Sequence, residues 1–487
     1  MIDTKAIRSK ILDLAIRGKL TEQLPEDGTA EYLYQQILAK KQALTPKGSL
    51  KKENPLPDIT HEEIPFEIPN NWMWIRLGTL ALQITDGTHR TPTYQKEGVP
   101  FLSVQNISSG YLDLSNIKYI PVNEHMELIK RCKPEKNDVL VCRIGTLGKA
   151  LRIDTDLSFS IFVSLGLIKT GIEVLSNHIV SVINSGYGAN WIQSVKAGGA
   201  MHAYKINLAD LNLLLIPLPP LAEQQRIFEK IKQAFSALDT IDALQAKYAD
   251  DLTVLKSKLI DAAIQGKLTE QLPEDGTAEE LYQQIQAEKQ ALIKEGKIKK
   301  EKPLPEISAD EIPFEIPSNW CWCRLQSLFN FIDYRGATPN KISEGVPFIT
   351  AKNVRQGYID YSISEYISEE DYQKRQSRGI SHKGDLLFTT EAPMGYAAIA
   401  DLDRFSAGQR LITLQQYTDD YLLENKYYMY AISTPFFQKQ LDDKCSGTTV
   451  KGIKADRLKQ FLIPLPPLAE QQRIVERLDK LLAVCYE

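Results

Sequence analysis

Few stretches of this 487-residue chain bring reactive residue types together at a spacing that chemistry could use. A phosphate-cradling loop needs four residues between its first glycine and the Gly-Lys pair, so that its N–H groups can close round one anion. Gly145-Thr-Leu-Gly148-Lys149-Ala150 has the types but is too short. Asp58, after Pro57, resembles the opening of a nuclease carboxylate motif. No acid-x-lysine follows it, and the matching position later in the chain holds Glu306. There is no His-Glu-x-x-His, and six scattered histidines suggest no metal cluster. The only Pro-Pro pairs are Pro219-Pro220 and Pro466-Pro467, so the Asn/Asp-Pro-Pro-aromatic site of adenine methyltransferases is missing. No catalytic residue and no metal site is assigned on this chain.

Recognition chemistry remains. Arginine and lysine pair with guanine O6 and N7, asparagine and glutamine with adenine N6 and N7, and hydroxyls with bases or phosphates. Residues of these types gather in Gly-rich and Thr-Pro segments. In the first half they are Thr88, His89, Arg90, Thr91, Gln105, Asn106, Arg143, Lys149, Lys196, His202 and Lys205. In the second half they are Arg335, Thr338, Lys341, Lys352, Asn353, Arg355, Arg410, Lys444, Thr448, Thr449 and Lys451. These are the candidate DNA-binding residues, although each is also an ordinary surface residue by type. The net charge of −4 adds no global basic signal, and residues 66–215 hold 14 Lys/Arg against 12 Asp/Glu. Any nucleic-acid contact must therefore come from local patches.

The elements that hold these segments are set by one long helix and by repetition. Leu221 to Gln265 carries apolar residues at steps of three and four: Phe228, Ile231, Phe235, Leu238, Ile241, Leu244, Tyr248, Leu252, Leu255, Leu259 and Ala262. That narrow seam is of the coiled-coil kind and spans roughly 67 Å at 1.5 Å per residue. Three successive steps of three slip its phase near Asp239 and Asp242 and predict a local change of supercoil. Pro219-Pro220 and Glu223 suit the helix start, and Gly266 suits its end.

Ile216-Pro-Leu-Pro-Pro-Leu-Ala-Glu-Gln-Gln-Arg-Ile227 returns as Ile463 to Ile474, and Lys258 to Gln271 closely matches Lys10 to Gln23. The chain is thus an internal duplication whose second long helix is split between the two termini, from Leu468 onward and up to Arg17. Termini that meet would close a pseudo-twofold ring. Further pairs follow: helices at Ala30–Leu44 and Ala278–Lys294, with a Thr277/Glu280 capping box, then lysine-rich connectors Lys47–Asn54 and Lys294–Lys302. Glu63 to Leu77 matches Glu311 to Leu325 and opens each globule, with Trp72/Trp74 and Trp320/Trp322 alternating as on a strand and reading as core anchors. Asp138-Val-Leu-Val-Cys142 and Asp385-Leu-Leu-Phe-Thr389 read as buried strands, and Leu422–Ile432 as a helix. Between these shared pieces the loops differ: Thr85 to Pro92 against Asp333 to Pro339, and Arg143 to Lys149 against Thr390 to Tyr396.

The fold class expected is α+β: two mixed α/β globules joined by long antiparallel coiled-coil helices in an internal pseudo-twofold duplication. The segments are 1–62, 63–219, 220–310, 311–466 and 467–487. Apolar content of 43% and charged content of 25% are those of an ordinary globular protein. No apolar run has transmembrane length and no signal segment opens the chain, so the expectation is a cytoplasmic protein. The six cysteines form no CxxC pair, and Cys321-x-Cys323 reads as packed thiols in a reducing compartment.

The doubled Pro-Leu-Pro-Pro-Leu-Ala-Glu-Gln-Gln-Arg-Ile motif, the repeated Gly-Lys-Leu-Thr-Glu-Gln segment and the Thr91-Pro92 and Thr338-Pro339 loops resemble the DNA-specificity subunits of type I restriction-modification enzymes. The resemblance covers the whole chain. It implies two target-recognition domains, each reading half of a bipartite site in double-stranded DNA, with helices that set the gap. It also implies that catalysis belongs to partners. Two methyltransferase (modification) subunits would use S-adenosylmethionine on adenine N6, and restriction subunits would use ATP and Mg, with no cofactor on this chain. The competing class is a coiled-coil protein-interaction scaffold without DNA binding, which divergent loops and weak charge permit. A self-sufficient nuclease is disfavoured by the missing metal carboxylates.

Overall fold

The computed structural model describes residues 1–44, 55–199, 202–336, 338–418, 422–447 and 451–485. The first lysine-rich connector, Lys47–Asn54, lies outside them. The chain divides into two units, Met1–Ala246 and Lys247–Glu487.

In the first unit, the short strand Met73–Arg76 pairs antiparallel with Leu215–Leu218, which puts Pro217 opposite Trp74. A proline fits there because the sheet has only two strands and the missing N–H faces no third one. Trp72 sits one residue ahead of the strand. The central sheet is antiparallel in the order Gln83–Asp86, Leu165–Lys169, Val139–Cys142, Ala150–Arg152. Its middle strand is apolar at every position because both of its faces are covered. Val139 and Val141 point into a core with Ile168, Leu175 and Ile179, while Leu140 and Cys142 point into another with Leu102 and Phe159. A smaller sheet, Lys118–Ile120, Val99–Leu102 and Ser160–Ile161, joins the second core.

The second unit repeats this plan. Cys321–Arg324 pairs with Leu462–Leu465 in the same register. The four-stranded sheet runs Asn330–Asp333, Leu411–Gln415, Leu386–Thr389, Ala397–Ile399. Leu386 and Phe388 face one core and Leu387 the other. The helix expected over Leu422–Ile432 starts later, at Asn425, and runs to Ser433; the Glu424 side chain caps it by accepting the Lys426 N–H. The second connector is tethered rather than loose. Glu301 binds Lys459 and Gln326, and Lys289 donates to the Gln326 carbonyl.

The long helix is continuous from Leu221 to Ile264. In the first unit the helix Thr4–Ile16 lies antiparallel on its opening part, with Leu12 and Ala15 against Ile227, Ile231 and Phe235. Arg8 bridges Asp239 and Asp242 at 2.9 Å each, and Thr4 also bonds Asp242, so polar clamps occupy the place where the apolar phase slips. In the second unit Leu259, Ile260, Ala263 and Ile264 pack with Ile474, Leu478 and Leu482 of the helix Leu468–Val484.

The repeated letters are the joints of this frame. Glu223, fully buried, accepts from Trp72 Nε1 at 2.7 Å, Gln23 Nε2 at 2.7 Å and Thr21 Oγ1 at 3.1 Å. Its twin Glu470 accepts from Trp320 at 2.8 Å, Gln271 at 2.9 Å and Thr269 at 3.1 Å. Arg226 forks onto Asp27, and Arg473 onto Asp275. These guanidiniums hold both aspartates below the usual carboxylate range. Gly18 and Gly266 end the paired helices at φ 66° and 72°. A Cβ on either would come within 2.4 Å of Pro69 or Pro317, so the repeated glycine meets both a conformational and a steric demand. Of the four tryptophans expected as core anchors, Trp72 and Trp320 are buried, while Trp74 and Trp322 are half-buried.

Candidate nucleic-acid interface

In the first unit the Thr88–Thr91 segment leaves the end of the strand Gln83–Asp86. It is tied down by the buried Asp86, which gathers two guanidiniums, Arg143 and Arg131 at 3.0 Å, and the His89 ring through Nε2 at 3.0 Å. Burial alone would raise the Asp86 pKa. The Arg131 and Arg143 guanidiniums beside it, with the His89 bond, hold it below the usual carboxylate range. Arg131 also donates to the carbonyls of Asp86 at 2.7 Å and Gly87 at 2.5 Å. Gly87 passes so close to the neighbouring strand that a Cβ would fall 2.0 Å from the Ile161 oxygen. His89, Arg90 and Thr91 stand exposed beyond this anchor, and Thr88 is half-buried.

Three candidates leave the interface. Arg143 is buried, with its Nε donating to the Ile206 carbonyl at 3.0 Å and its head held by Asp86. Asn106 is buried as a loop bracket. Its Oδ1 accepts the Ser103 N–H at 2.9 Å, and its Nδ2 donates to the Asp113 and Asn116 carbonyls. Asn353 does the same work in the second unit, accepting from Thr350 N–H and Oγ1 and donating to Asp360 and Ile363 carbonyls, with 1% of its surface exposed. All three were expected to read bases; their polar atoms are spent inside the fold, and residue type alone does not reveal that.

The other first-unit candidates stay at the surface. Gln105 is exposed beside the Asn106 bracket, on the rim of a hollow of about 270 Å³ that Tyr94 and Lys118 also line. Lys149 and Lys205 are exposed. Lys196 is half-buried, with its Nζ 2.5 Å from Gln193 and 4.6 Å from the centre of the Tyr204 ring. His202 opens the strand His202–Lys205, and its side chain lies outside the described residues. A bridge between Ile144 and Lys205 joins this hairpin to the segment that leads to Lys149. A separate hollow of about 690 Å³ is lined by framework residues such as Arg17, Glu63 and Arg76.

In the second unit the corresponding cations sit mostly beside acids. Arg335 binds Asp333, Lys341 binds Glu365 at 2.7 Å, and Arg355 reaches Asp360 at 3.4 Å. Arg410 binds Glu391 at 3.1 Å, and Lys451 reaches Asp442 at 3.5 Å. The last two pairs are exposed and such pairs contribute little, whereas Asp333, Glu365 and Asp360 are half-buried. Thr338 donates to Gln409 at 3.0 Å, Lys352 is exposed, and half-buried Lys444 lies over the Phe461 ring. Thr448 and Thr449 lie outside the described residues. Bridges from Gly452 to Glu391 and to Ser446, with a bond from Thr390 N–H to the Arg410 carbonyl, gather three separate stretches of chain into one cluster.

Sequence reasoning passed over Arg131 and Arg378. Arg378 donates to the carbonyls of Asp333 at 3.4 Å and Arg335 at 2.6 Å, as Arg131 does to Asp86 and Gly87. A signal was present: each arginine stands seven residues before the aspartate, Asp138 or Asp385, that precedes the central strand. Each globule thus clamps the base of its Thr-Pro loop with an arginine, and the side chains beyond the clamp differ.

A family model described as the type I restriction modification DNA specificity domain matches residues 69–247 and again 317–487. The chain belongs to this family. It is 28% identical to the type I restriction enzyme EcoAI specificity subunit of Escherichia coli, over 99% of this chain and 89% of that one. It is 26% identical to the EcoEI specificity subunit of the same organism, with the same coverage. A chain from a solved type I restriction-modification system shares the fold, with a TM-score of 0.55 at 21% identity, covering 87% of this chain and 93% of that one. The α+β class with two duplicated domains stands. The role is that of a DNA-recognition subunit that assembles with other restriction-modification subunits, and the protein-scaffold reading falls away. Among the described residues no group of three or more His, Cys, Asp or Glu could hold a metal, and no helix is long and apolar enough to cross a membrane.

Proposed function

We propose that each globule of this specificity subunit reads one half of a bipartite DNA site through its own loop set. The first set is Thr88–Thr91, Gln105, Lys149, Lys196 and Lys205. The second is Arg335–Thr338, Lys341, Lys352, Arg355, Arg410, Lys444 and Lys451. The observation that supports this is the pairing of like anchors with unlike loops. Arg131 and Arg378 hold the matching Asp86 and Asp333 carbonyls, while the sequence that follows is Gly-Thr-His-Arg-Thr in one copy and Tyr-Arg-Gly-Ala-Thr in the other. A frame kept the same under two different surfaces suits two half-sites that need not be palindromic.

The helices would set the number of unspecified bases between the half-sites and would dock two methyltransferase subunits. Restriction subunits would complete the assembly. S-adenosylmethionine, ATP and Mg would bind on those partners, with adenine N6 as the methyl acceptor. Phosphate contacts by the exposed lysines and arginines would make binding fall steeply with salt.

The test is co-expression with a methyltransferase subunit and sequencing of the modified adenines. Exchanging Thr88–Thr91 for the second loop's residues should alter one half-site and leave the other intact. A change in both halves, or in neither, would overturn the assignment.

A further inference from the structure

One place where the two copies differ lies on the short strand that opens each globule. Where the first unit has Met73 and Ile75, the second has Cys321 and Cys323, at the same register positions opposite Leu465 and Ile463. Two residues apart on a strand, the side chains leave the same face, and their sulfurs are 3.7 Å apart. Cys323 is buried, while Cys321 is only half-buried and so open to attack. The hydroxyl of buried Tyr428 has no hydrogen-bond partner and lies within electrostatic reach of both sulfurs.

We propose that Cys321 and Cys323 are a reversible thiol–disulfide exchange site, with Cys321 attacking a low-molecular-weight disulfide and Cys323 resolving the product. In the first step the Cys321 thiolate attacks one sulfur of the small disulfide. The S–S bond breaks, one small thiolate leaves, and a mixed disulfide forms. In the second step the small thiolate released first takes the Cys323 proton as the Cys323 sulfur attacks the Cys321 sulfur and expels the second small thiolate. Two protein thiols are oxidised by two electrons, and one disulfide is reduced to two thiols. No other reactant is needed.

The other cysteines are poor competitors. Burial pushes the Cys132 thiol up to about 12 and the Cys142 thiol up to about 11, and it raises the Cys323 thiol well above the ordinary value. None of these three makes the first attack, the thiolate being the nucleophile. Cys323 acts only as the resolving thiol, where its 3.7 Å separation from the Cys321 sulfur supplies the proximity. Cys321 instead is held below the ordinary thiol value by the S–H of Cys323. Cys445 and Cys485 are half-buried, and each S–H bonds a carbonyl of its own helix. Neighbours two apart on a strand have Cα atoms about 6.6 Å apart, at the upper edge of the range that a disulfide spans, about 4.4–6.8 Å. The bond formed is therefore strained and easily reduced, as a reversible mark requires.

The experiment incubates the full-length protein with oxidised glutathione, blocks remaining thiols with N-ethylmaleimide and maps peptides by mass spectrometry. The peptide holding both cysteines is expected to lose two hydrogens and to regain them with dithiothreitol. Cys323→Ser should trap glutathione on Cys321, and Cys321→Ser should leave Cys323 unmodified. The first unit's own residues supply fold-preserving controls, Cys321→Met and Cys323→Ile. A peptide that stays fully alkylated, a glutathione adduct that persists on wild-type Cys321, or faster oxidation at Cys445 or Cys485 would each overturn the proposal.

Discussion

Replacing Glu223 with alanine tests the frame where three donors converge on one buried carboxylate. The carboxylate is fully buried and accepts three bonds, from Trp72, Gln23 and Thr21. Gln23 and Thr21 can turn to water after its removal. The Trp72 indole N–H is enclosed and cannot, and an orphaned buried donor costs about 1–3 kcal/mol. Loss of the charge-assisted bonds themselves adds to this, so about 3 kcal/mol is expected for the first unit. For a unit of this size that is a fall of roughly 6–12 °C in Tm. The assay is urea unfolding followed by tryptophan fluorescence, repeated on a Trp72→Phe background. Phenylalanine has no N–H to orphan, so the same substitution there should cost about 1–2 kcal/mol less. Glu470→Ala is the built-in replicate, because Trp320, Gln271 and Thr269 surround it alike. The reasoning fails if Glu223→Ala costs under about 1 kcal/mol, if the cycle shows no coupling, or if the two twins differ by more than about 1.5 kcal/mol.

Acid should separate the two units. His178 bonds the Pro217 carbonyl at 2.6 Å, and burial lowers its pKa to about 4, whereas the second unit has Tyr427 in that role. The unfolded histidine takes a proton near pH 6.5 and the folded one only near 4. The first unit therefore loses stability as pH falls from about 6.5 to 4, by up to about 3 kcal/mol from this residue; unfolding at several pH values in wild type and His178→Tyr checks this, and the variant should lose most of that slope, keeping only the smaller part due to buried His125, whose pKa burial also lowers. Asp86 acts lower on the scale: its folded pKa is depressed, so its stabilisation is complete above the unfolded value of about 3.9 and is lost as pH falls below it. At neutral pH, Asp86→Asn should relax recognition at the first half-site alone, as methylated-site sequencing would read. Deleting two turns, seven residues, from the middle of the long helix should change the gap between half-sites and leave the half-sites themselves unchanged; an unaltered gap would count against a spacing role for the helix.

Much of the fold was legible in the letters because it is written twice. The helix Ala278–Lys294 and its capping box, the long helix and the buried strands at Val139 and Leu386 follow from spacing alone. Repetition marked Glu223, Arg226 and Trp72 as important before their roles were visible. Their roles needed the fold, since Trp72 and Glu223 are 151 residues apart and their bond is invisible to any local pattern.

The candidate interface shows the opposite case. Composition placed Arg143, Asn106 and Asn353 beside Arg90, Gln105 and Lys352, and nothing local told the two groups apart. Whether a polar head turns inward depends on which backbone groups the tertiary fold leaves unsatisfied nearby. The carbonyls of Ile206, Asp113 and Asp360 needed donors and took those side chains. Local periodicity and repetition thus determined the elements and the doubling. The three-dimensional packing decided which arginines and asparagines brace the loops and which candidates stay at the surface, because a buried carbonyl must be paired wherever in the sequence its donor lies.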